Sequence, residues 1–250
     1  MAGYLILAVR FLTIAPVPGR EATGAGALGR AAWWFPAVGL ALGTCLVATD
    51  HLFTFVFPSL LGSILLVSLW KILTGGIHLD GLADVLDGLA GRTPEGRLAI
   101  MRDSRIGAFG AAGLVLCVLM TAGALDALPA GRHPAMLVLA PAVGRLGPLL
   151  IGPLFPPATP GQGAGASFLE GLSPWAAPVS VAALWILSAA LLGPWGGLLL
   201  SVALVTMLLW AVFLASRLGG LTGDALGSSV ELGELATLVA AVALVHLRVL

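Results

Sequence analysis

The sequence predicts an all-α protein, a polytopic transmembrane helix bundle of about seven spans with acidic motifs on its cytoplasmic side. Three observations predict it. Hydrophobic residues fill 59% of the 250 positions and charged residues only 10%, and the mean hydropathy is +1.05, values that belong to membrane chains. The apolar residues fall in runs of about 20, the length of helix that crosses a hydrocarbon core. The charges are gathered: five of the twelve acids and four of the twelve Lys/Arg lie between Gly75 and Arg105. Residues 1–250 read as one integral membrane domain, with the lipid bilayer as its first partner. Zero net charge excludes a basic nucleic-acid surface, so no nucleic acid is expected.

The elements follow in order. Residues 1–30 form an N-terminal interfacial segment: Tyr4 to Val17 is apolar around Arg10, ends in Pro16 and Pro18, and has no small-residue cleavage pattern. Ala31 to Thr49 is the first span, with Trp33 and Trp34 at an interface, and Asp50-His51 reads as a tight break. Leu52 to Thr74 returns, carrying Lys71 close enough to its end to snorkel. Residues 74–106 form the first motif region. Gly107 to Leu125 and Pro134 to Phe155 are spans three and four, the latter with Arg145 deep inside. PPATPGQGAGASFLEG reads as a loop, being dense in breakers. Pro174 to Leu192 and Trp195 to Ala215 make a hairpin around Gly193-Pro194, residues 216–229 form a second motif region, and Val230 to Leu247 is the last span. Cys45 and Cys117 stand alone in apolar runs and read as small buried hydrophobes. With the N-terminus inside, Arg10, Arg20, Arg30, Lys71, Arg92, Arg97, Arg102, Arg105 and Arg217 fall at the cytoplasmic edge, against Arg132 and Arg248 outside. That bias sets the orientation.

At about 100° per residue, Asp80, Asp84 and Asp87 share one helix face within an arc of roughly 60°. Like charges so close are costly unless neutralised, and a divalent metal is the simplest remedy. Carboxylates without His or Cys at ligand spacing favour a hard ion, Mg²⁺ or Mn²⁺; Mg²⁺ commonly joins one or two carboxylates to substrate phosphates. A solvated polar helix with incidental acids is the bland alternative. A second motif repeats the first at an offset of 144: Gly75, Gly76, Asp80, Leu82 and Asp87 match Gly219, Gly220, Asp224, Leu226 and Glu231, with Ser228 opposite Asp84. Four spans separate the two, so both emerge on one membrane face and can line one site. Chance resemblance of glycine turns in a Gly-rich chain is the alternative.

Arg92, Arg102 and Arg105 adjoin the carboxylates, and guanidinium groups bind phosphate bidentately. Acids plus arginines suggest metal-bridged phosphoryl chemistry; membrane-side anchoring is the competing explanation of each arginine. Arg145 should face the bundle interior and either pair with an acid or bind an anionic substrate group. His78 falls opposite the aspartates and joins the substrate-binding set only if the chain at Gly75-Gly76 brings it round. His51, His133 and His246 carry no assignment.

Three stretches together resemble the cobalamin synthase family, adenosylcobinamide-GDP ribazoletransferase. They are Gly75-Gly76-Ile77-His78-Leu79-Asp80-Gly81-Leu82-Ala83-Asp84 with Asp87-Gly88, Met101-Arg102-Asp103-Ser104-Arg105-Ile106-Gly107-Ala108-Phe109-Gly110, and Gly220-Leu221-Thr222-Gly223-Asp224. The likeness extends to Phe11-Leu12-Thr13, Pro16-Val17-Pro18 and Phe35-Pro36-Ala37-Val38-Gly39. It departs at Ile14, where the family usually has Arg after the Thr, which leaves the role of that segment open. The resemblance implies an inner-membrane enzyme of bacteria or archaea that uses Mg²⁺. A ribose hydroxyl of α-ribazole, or of α-ribazole 5′-phosphate, attacks the cobinamide-linked phosphorus of adenosylcobinamide-GDP and expels GMP. On that basis Asp80, Asp84, Asp87 and Asp224 are expected to bind metal, and Asp103 or Glu231 to be the general base. Arg92, Arg102, Arg105 and Arg145 are expected to hold the diphosphate or the corrinoid-linked phosphate.

Two other readings compete. Asp84-x-x-Asp87-Gly88-x-x-Gly91-Arg92 approaches the CDP-alcohol phosphotransferase signature, but Met101 and Arg105 stand where its later Gly and third Asp belong. A transporter also offers repeated acidic motifs, Gly-broken helices and an intramembrane Arg145; against it, the acids gather at one face rather than at the midplane.

Overall fold

A computed structural model describes residues 1–131, 133–159 and 163–249. Arg132, expected outside the membrane, and residues 160–162 of the expected loop lie outside the described residues. Thirteen α-helices and no strands occur among the described residues: α1 (Ala2–Leu12), α2 (Ala27–Ala31), α3 (Phe35–Val56), α4 (Ser59–Leu73), α5 (Ile77–Gly88), α6 (Pro94–Met101), α7 (Ala108–Ala127), α8 (His133–Gly144), α9 (Leu146–Ile151), α10 (Gly163–Gly171), α11 (Ala176–Leu192), α12 (Pro194–Leu218) and α13 (Gly223–His246). Five continuous helical stretches are long and apolar enough to cross a membrane: residues 27–56, 108–127, 133–154, 194–218 and 223–246. α4 and α11 bring the number to seven, each as one limb of a bent pair, α4 with α5 at 91° and α10 with α11 at 86°. The polytopic bundle expected from the sequence is therefore the architecture observed.

Composition explains the outer surface. Val115, Leu116, Leu119 and Met120 on α7, and Val205, Leu209 and Val212 on α12, point outward, as helices surrounded by lipid require. The inner packing relies on small residues. Gly39 and Gly43 of α3 lie against α8, where a Cβ on Gly39 would come 2.6 Å from the Ala142 Cα and one on Gly43 2.7 Å from the Val138 Cα. Such a small-xxx-small pair lets two backbones touch where no hydrophobic effect drives helices together.

Several expectations are corrected. No break occurs at Asp50-His51: α3 runs on to Val56, and the chain turns at Phe57-Pro58. Asp50 is polar because it reaches across the bundle to His133, whose Nδ1 lies 2.9 Å from Asp50 Oδ2 and whose Nε2 donates to the Leu125 carbonyl at 2.8 Å. Both ring nitrogens thus face oxygen, and the ring ties α3, α7 and α8 together at the end opposite α5. The breaker-dense stretch after Phe155 contains α10, which packs on α2. The last spanning helix begins at Gly223, so the second motif is its first turns. Cys45 is exposed on α3, whereas Cys117 is buried as expected.

Candidate active site

The site is built where α5 lies across the N-terminal end of α13. Gly75 and Gly76 take φ values of 62° and 68°, a left-handed conformation that side chains resist, and these two residues turn the chain from α4 into α5. Ile14 pins the bend: its N–H donates to the Leu73 carbonyl at 2.9 Å, and its side chain packs beside Gly75. The matching glycine of the second motif, Gly219, also takes a left-handed φ, 76°. Thr222 then caps α13 by accepting from the Ala225 N–H at 3.1 Å. α5 touches α13 closely because residue 81 has no side chain; a Cβ there would stand 3.0 Å from the Asp224 carbonyl oxygen. The two motifs thus meet on one face of the bundle, as their spacing suggested.

Asp80, Asp84 and Asp224 come together at this crossing. The carboxyl of Asp84 is pushed up to about 6, first by partial burial and then by the negative charges of Asp80, Asp224 and Asp87. Asp87 is turned aside from the group. Its two oxygens accept from the Gly107 N–H at 2.7 Å and the Gly110 N–H at 2.8 Å, so it caps α7 and places its charge at the positive end of that helix. The reason it leaves the acid face is that the first N–H groups of α7 otherwise lack acceptors.

The donor set bears on the expected metal. It is all carboxylate oxygen, and mutual repulsion shows in the raised Asp84 carboxyl. Among the described residues, however, no three His, Cys, Asp or Glu side chains converge closely enough to cage an ion. These residues fit a hard divalent cation held by one or two carboxylates and completed by substrate oxygens, the usual mode for Mg²⁺. They do not fit a closed protein cage.

Neither expected base is well placed. Asp103 accepts from Arg105 through its backbone N–H at 3.1 Å and its Nε at 3.0 Å. The Arg105 guanidinium brings the Asp103 carboxyl down to about 2, which makes it a poor proton acceptor and occupies Arg105 as well. Glu231 lies two turns beyond Asp224, about 10 Å along the helix, and is buried. Its Oε2 accepts from Lys71 Nζ at 2.6 Å, and Lys71 donates also to Glu234 at 2.8 Å. Lys71 therefore does not snorkel: it stays inside, 7% exposed, because two acids await it on α13. Arg145 completes the network through an ion pair with Glu234, the acid pairing expected of it. No sequence signal links Lys71 to residues 160 positions away.

Two cavities adjoin Asp224. One, about 250 Å³, is lined by Arg102, Met101, Thr159 and Thr222. The other, about 150 Å³, lies among Phe11, Phe35 and Phe168 and reaches His78 and Arg145. Gly165, Gly223 and Asp224 belong to the walls of both, so Asp224 stands at their junction. The bend at Gly75-Gly76 does bring His78 inward. Its ring is 4% exposed, and burial, with the charges of Arg145 and Lys71, holds it neutral, well below the usual histidine range. Arg92 is exposed just beyond α5 and lines neither cavity. Arg97 donates to the Arg217 carbonyl at 2.7 Å, closing the C-terminal end of α12.

Comparison with known proteins gives this geometry a family. The family described as cobalamin-5-phosphate synthase matches residues 4–242. A protein of Geotalea daltonii named adenosylcobinamide-GDP ribazoletransferase is 37% identical over 246 residues, 95% of this chain and 96% of its own. One of the same name from Stutzerimonas stutzeri is 39% identical over 237 residues, 94% and 96% of the two chains. Another, from Syntrophobacter fumaroxidans, is 40% identical over 210 residues, 83% and 84%. No solved structure matches. With a match that spans nearly every helix, including both acid motifs, the chain belongs to the cobalamin-5-phosphate synthase family.

Proposed function

We propose that this protein joins α-ribazole, or its 5′-phosphate, to adenosylcobinamide-GDP and releases GMP, forming adenosylcobalamin or its 5′-phosphate. The observation that carries the reading is the meeting of Asp80, Asp84 and Asp224, the last of which lines a cleft with Arg102, within this family. Arg102 lines the cleft next to Asp224 and would hold the diphosphate; Arg92, on the open surface nearby, would meet the same group as it arrives. The ribose hydroxyl would enter at the junction of the two cavities. Its oxygen forms a bond to the cobinamide-linked phosphorus, its proton passes to Asp224, and the bond from that phosphorus to the GMP oxygen breaks, so GMP leaves with the bonding pair.

Asp80 and Asp84 are the residues that would hold Mg²⁺ together with substrate oxygens. The ion's contribution when bound is to offset the charge that grows on the phosphates. Asp87 supports the site from behind by fixing α7 to α5. The excess of Lys and Arg at the α5 edge supports a cytoplasmic site in the inner membrane.

The test is GMP release by membranes containing the protein, supplied with adenosylcobinamide-GDP and α-ribazole, in Mg²⁺ or EDTA. We expect metal-dependent release with a cobalamin product, lost in Asp84→Ala. Release unaffected by EDTA removes the metal assignment. No release from folded protein removes the reaction, and CDP-alcohols would then be tried.

A further inference from the structure

The smaller cavity has a composition that selects its occupant. Phe11 and Phe35 stack with ring centres 5.9 Å apart, and Phe35 and Phe168 lie 6.0 Å apart at a tilt, so three aromatic rings form one side. Ile77, Leu226 and Val230 close much of the remainder. A cavity of about 150 Å³ with such walls takes a small planar aromatic group.

Its few polar atoms are unusual. The Arg145 guanidinium is 1% exposed; Nη1 is held by Glu234 and by the Pro141 carbonyl at 3.2 Å. Nε and Nη2 are buried with no hydrogen-bond partner among the described residues, and so is His78 Nδ1. A buried donor left without an acceptor costs about 1–3 kcal/mol, so a ligand that supplies an acceptor gains what the protein lacks.

Charge decides between the two ends of a nucleotide. Around Arg145 stand three carboxylates, Glu231, Glu234 and Asp224, against two cations, Arg145 and Lys71. A phosphate placed there would add negative charge to a surplus of negative charge in apolar surroundings, which is strongly unfavourable. An uncharged heteroaromatic ring adds none. It stacks against the phenyl groups, and its in-plane nitrogen lone pair accepts from the guanidinium.

We propose that this cavity is the seat of the acceptor nucleoside's base: it takes a planar, uncharged heteroaromatic ring, whose free ring nitrogen accepts from Arg145. This deepens the functional reading above and rests on it for the identity of the nucleoside. A base in the cavity places its sugar at the wall shared with the polar cleft, beside Asp224. Leu28, which lines the cavity from the short α2, then limits how bulky a ring substituent can be.

The experiment measures binding of benzimidazole and of α-ribazole to the full-length protein in detergent, without corrinoid donor and with EDTA present. The proposal expects both to bind and 10 mM inorganic phosphate not to displace either. Leu28→Trp, which fills the cavity, should weaken both by on the order of tenfold, and Leu28→Ala should shift preference toward rings with bulkier substituents. Arg145→Lys, which keeps the charge facing Glu234, should weaken binding while leaving the unfolding temperature nearer wild type than Arg145→Ala does. Unaltered ring affinity in both Leu28 variants, or displacement by phosphate, overturns the proposal. Ring binding that follows these expectations without any transfer activity keeps the cavity assignment and removes only the reaction. In an active enzyme, a Leu28→Trp effect confined to KM for adenosylcobinamide-GDP would assign the cavity to the donor and overturn the proposal.

Discussion

Two charged clusters sit on the same helix, α13, two turns apart, and they are opposites. At Asp224 the neighbours include Asp80 and Asp84, none of the three acids forms a salt bridge among the described residues, and the Asp84 carboxyl rises to about 6. At Glu231 and Glu234 each carboxylate meets a cation: Lys71 touches both, and Arg145 pairs with Glu234. The deeper cluster is complete in itself and binds four helices, α4, α8, α13 and, through Arg145, the start of α9. The outer one is complete only with something positive in it. Acids of identical chemistry thus become structural or functional according to whether the fold supplies their counter-charge.

The sharpest way to break that comparison is Asp224→Asn. We expect transfer to fall by about 10²–10⁴, the usual contribution of a positioned proton acceptor, with the unfolding temperature held or raised; a matched loss of folded protein would move Asp224 into the structural group. Next in size, Glu234→Ala leaves Arg145 unpaired and deprives Lys71 of one partner. It should destabilise the protein by about 3–5 kcal/mol, read by thermal unfolding in detergent, because one-sided removal strands a buried charge.

A smaller effect tests the outer cluster from the other direction. The folded value of Asp84 lies above its unfolded value, so the folded state holds its proton more tightly. The group's penalty is absent below pH about 4, grows as pH rises through the folded value of about 6, and is full at pH 7. Asp84→Asn should therefore stabilise the metal-free protein at pH 7 by about 1 kcal/mol, after discounting for solvent screening of a largely open group. Mg²⁺ should raise the unfolding temperature of wild type more at pH 7 than at pH 5, and should do little for the variant. Smallest of all is Asp103→Asn. Its partner Arg105 is on the surface, so unfolding should be unaffected, and the pH profile of transfer should keep its shape. A loss on the scale expected for Asp224 would restore Asp103 as the base.

The sequence made the large-scale features legible because they depend on local properties. Runs of apolar residues gave the spans, and the matched spacing of Gly75-Gly76 to Asp80 and Gly219-Gly220 to Asp224 gave the shared face. What it hid depends on partners distant in the chain. Asp50-His51 looks like a turn until His133 is seen opposite. Asp87 looks like a third metal ligand until the free N–H groups of α7 claim it, and the only hint is that Gly107 and Gly110 leave room for its carboxylate. Glu231 continues the repeat of the first motif yet belongs to Lys71. Residues 163–171 read as a loop because Gly163, Gly165 and Gly171 weaken the helical signal of the residues between them; contact with α2 supplies what propensity lacks.

The contribution of α13 also sets an order of assembly. Lys71 and Arg145 are synthesised long before Glu231 and Glu234, and Asp80 and Asp84 long before Asp224. Until this helix enters the membrane, two cations in apolar surroundings lack their anions, an expensive state for an inserting chain. A partly synthesised protein therefore remains loosely joined around α4 and α8. Arrival of the final helix locks the bundle and finishes the site in a single event, so an immature copy presents no assembled site to its substrates.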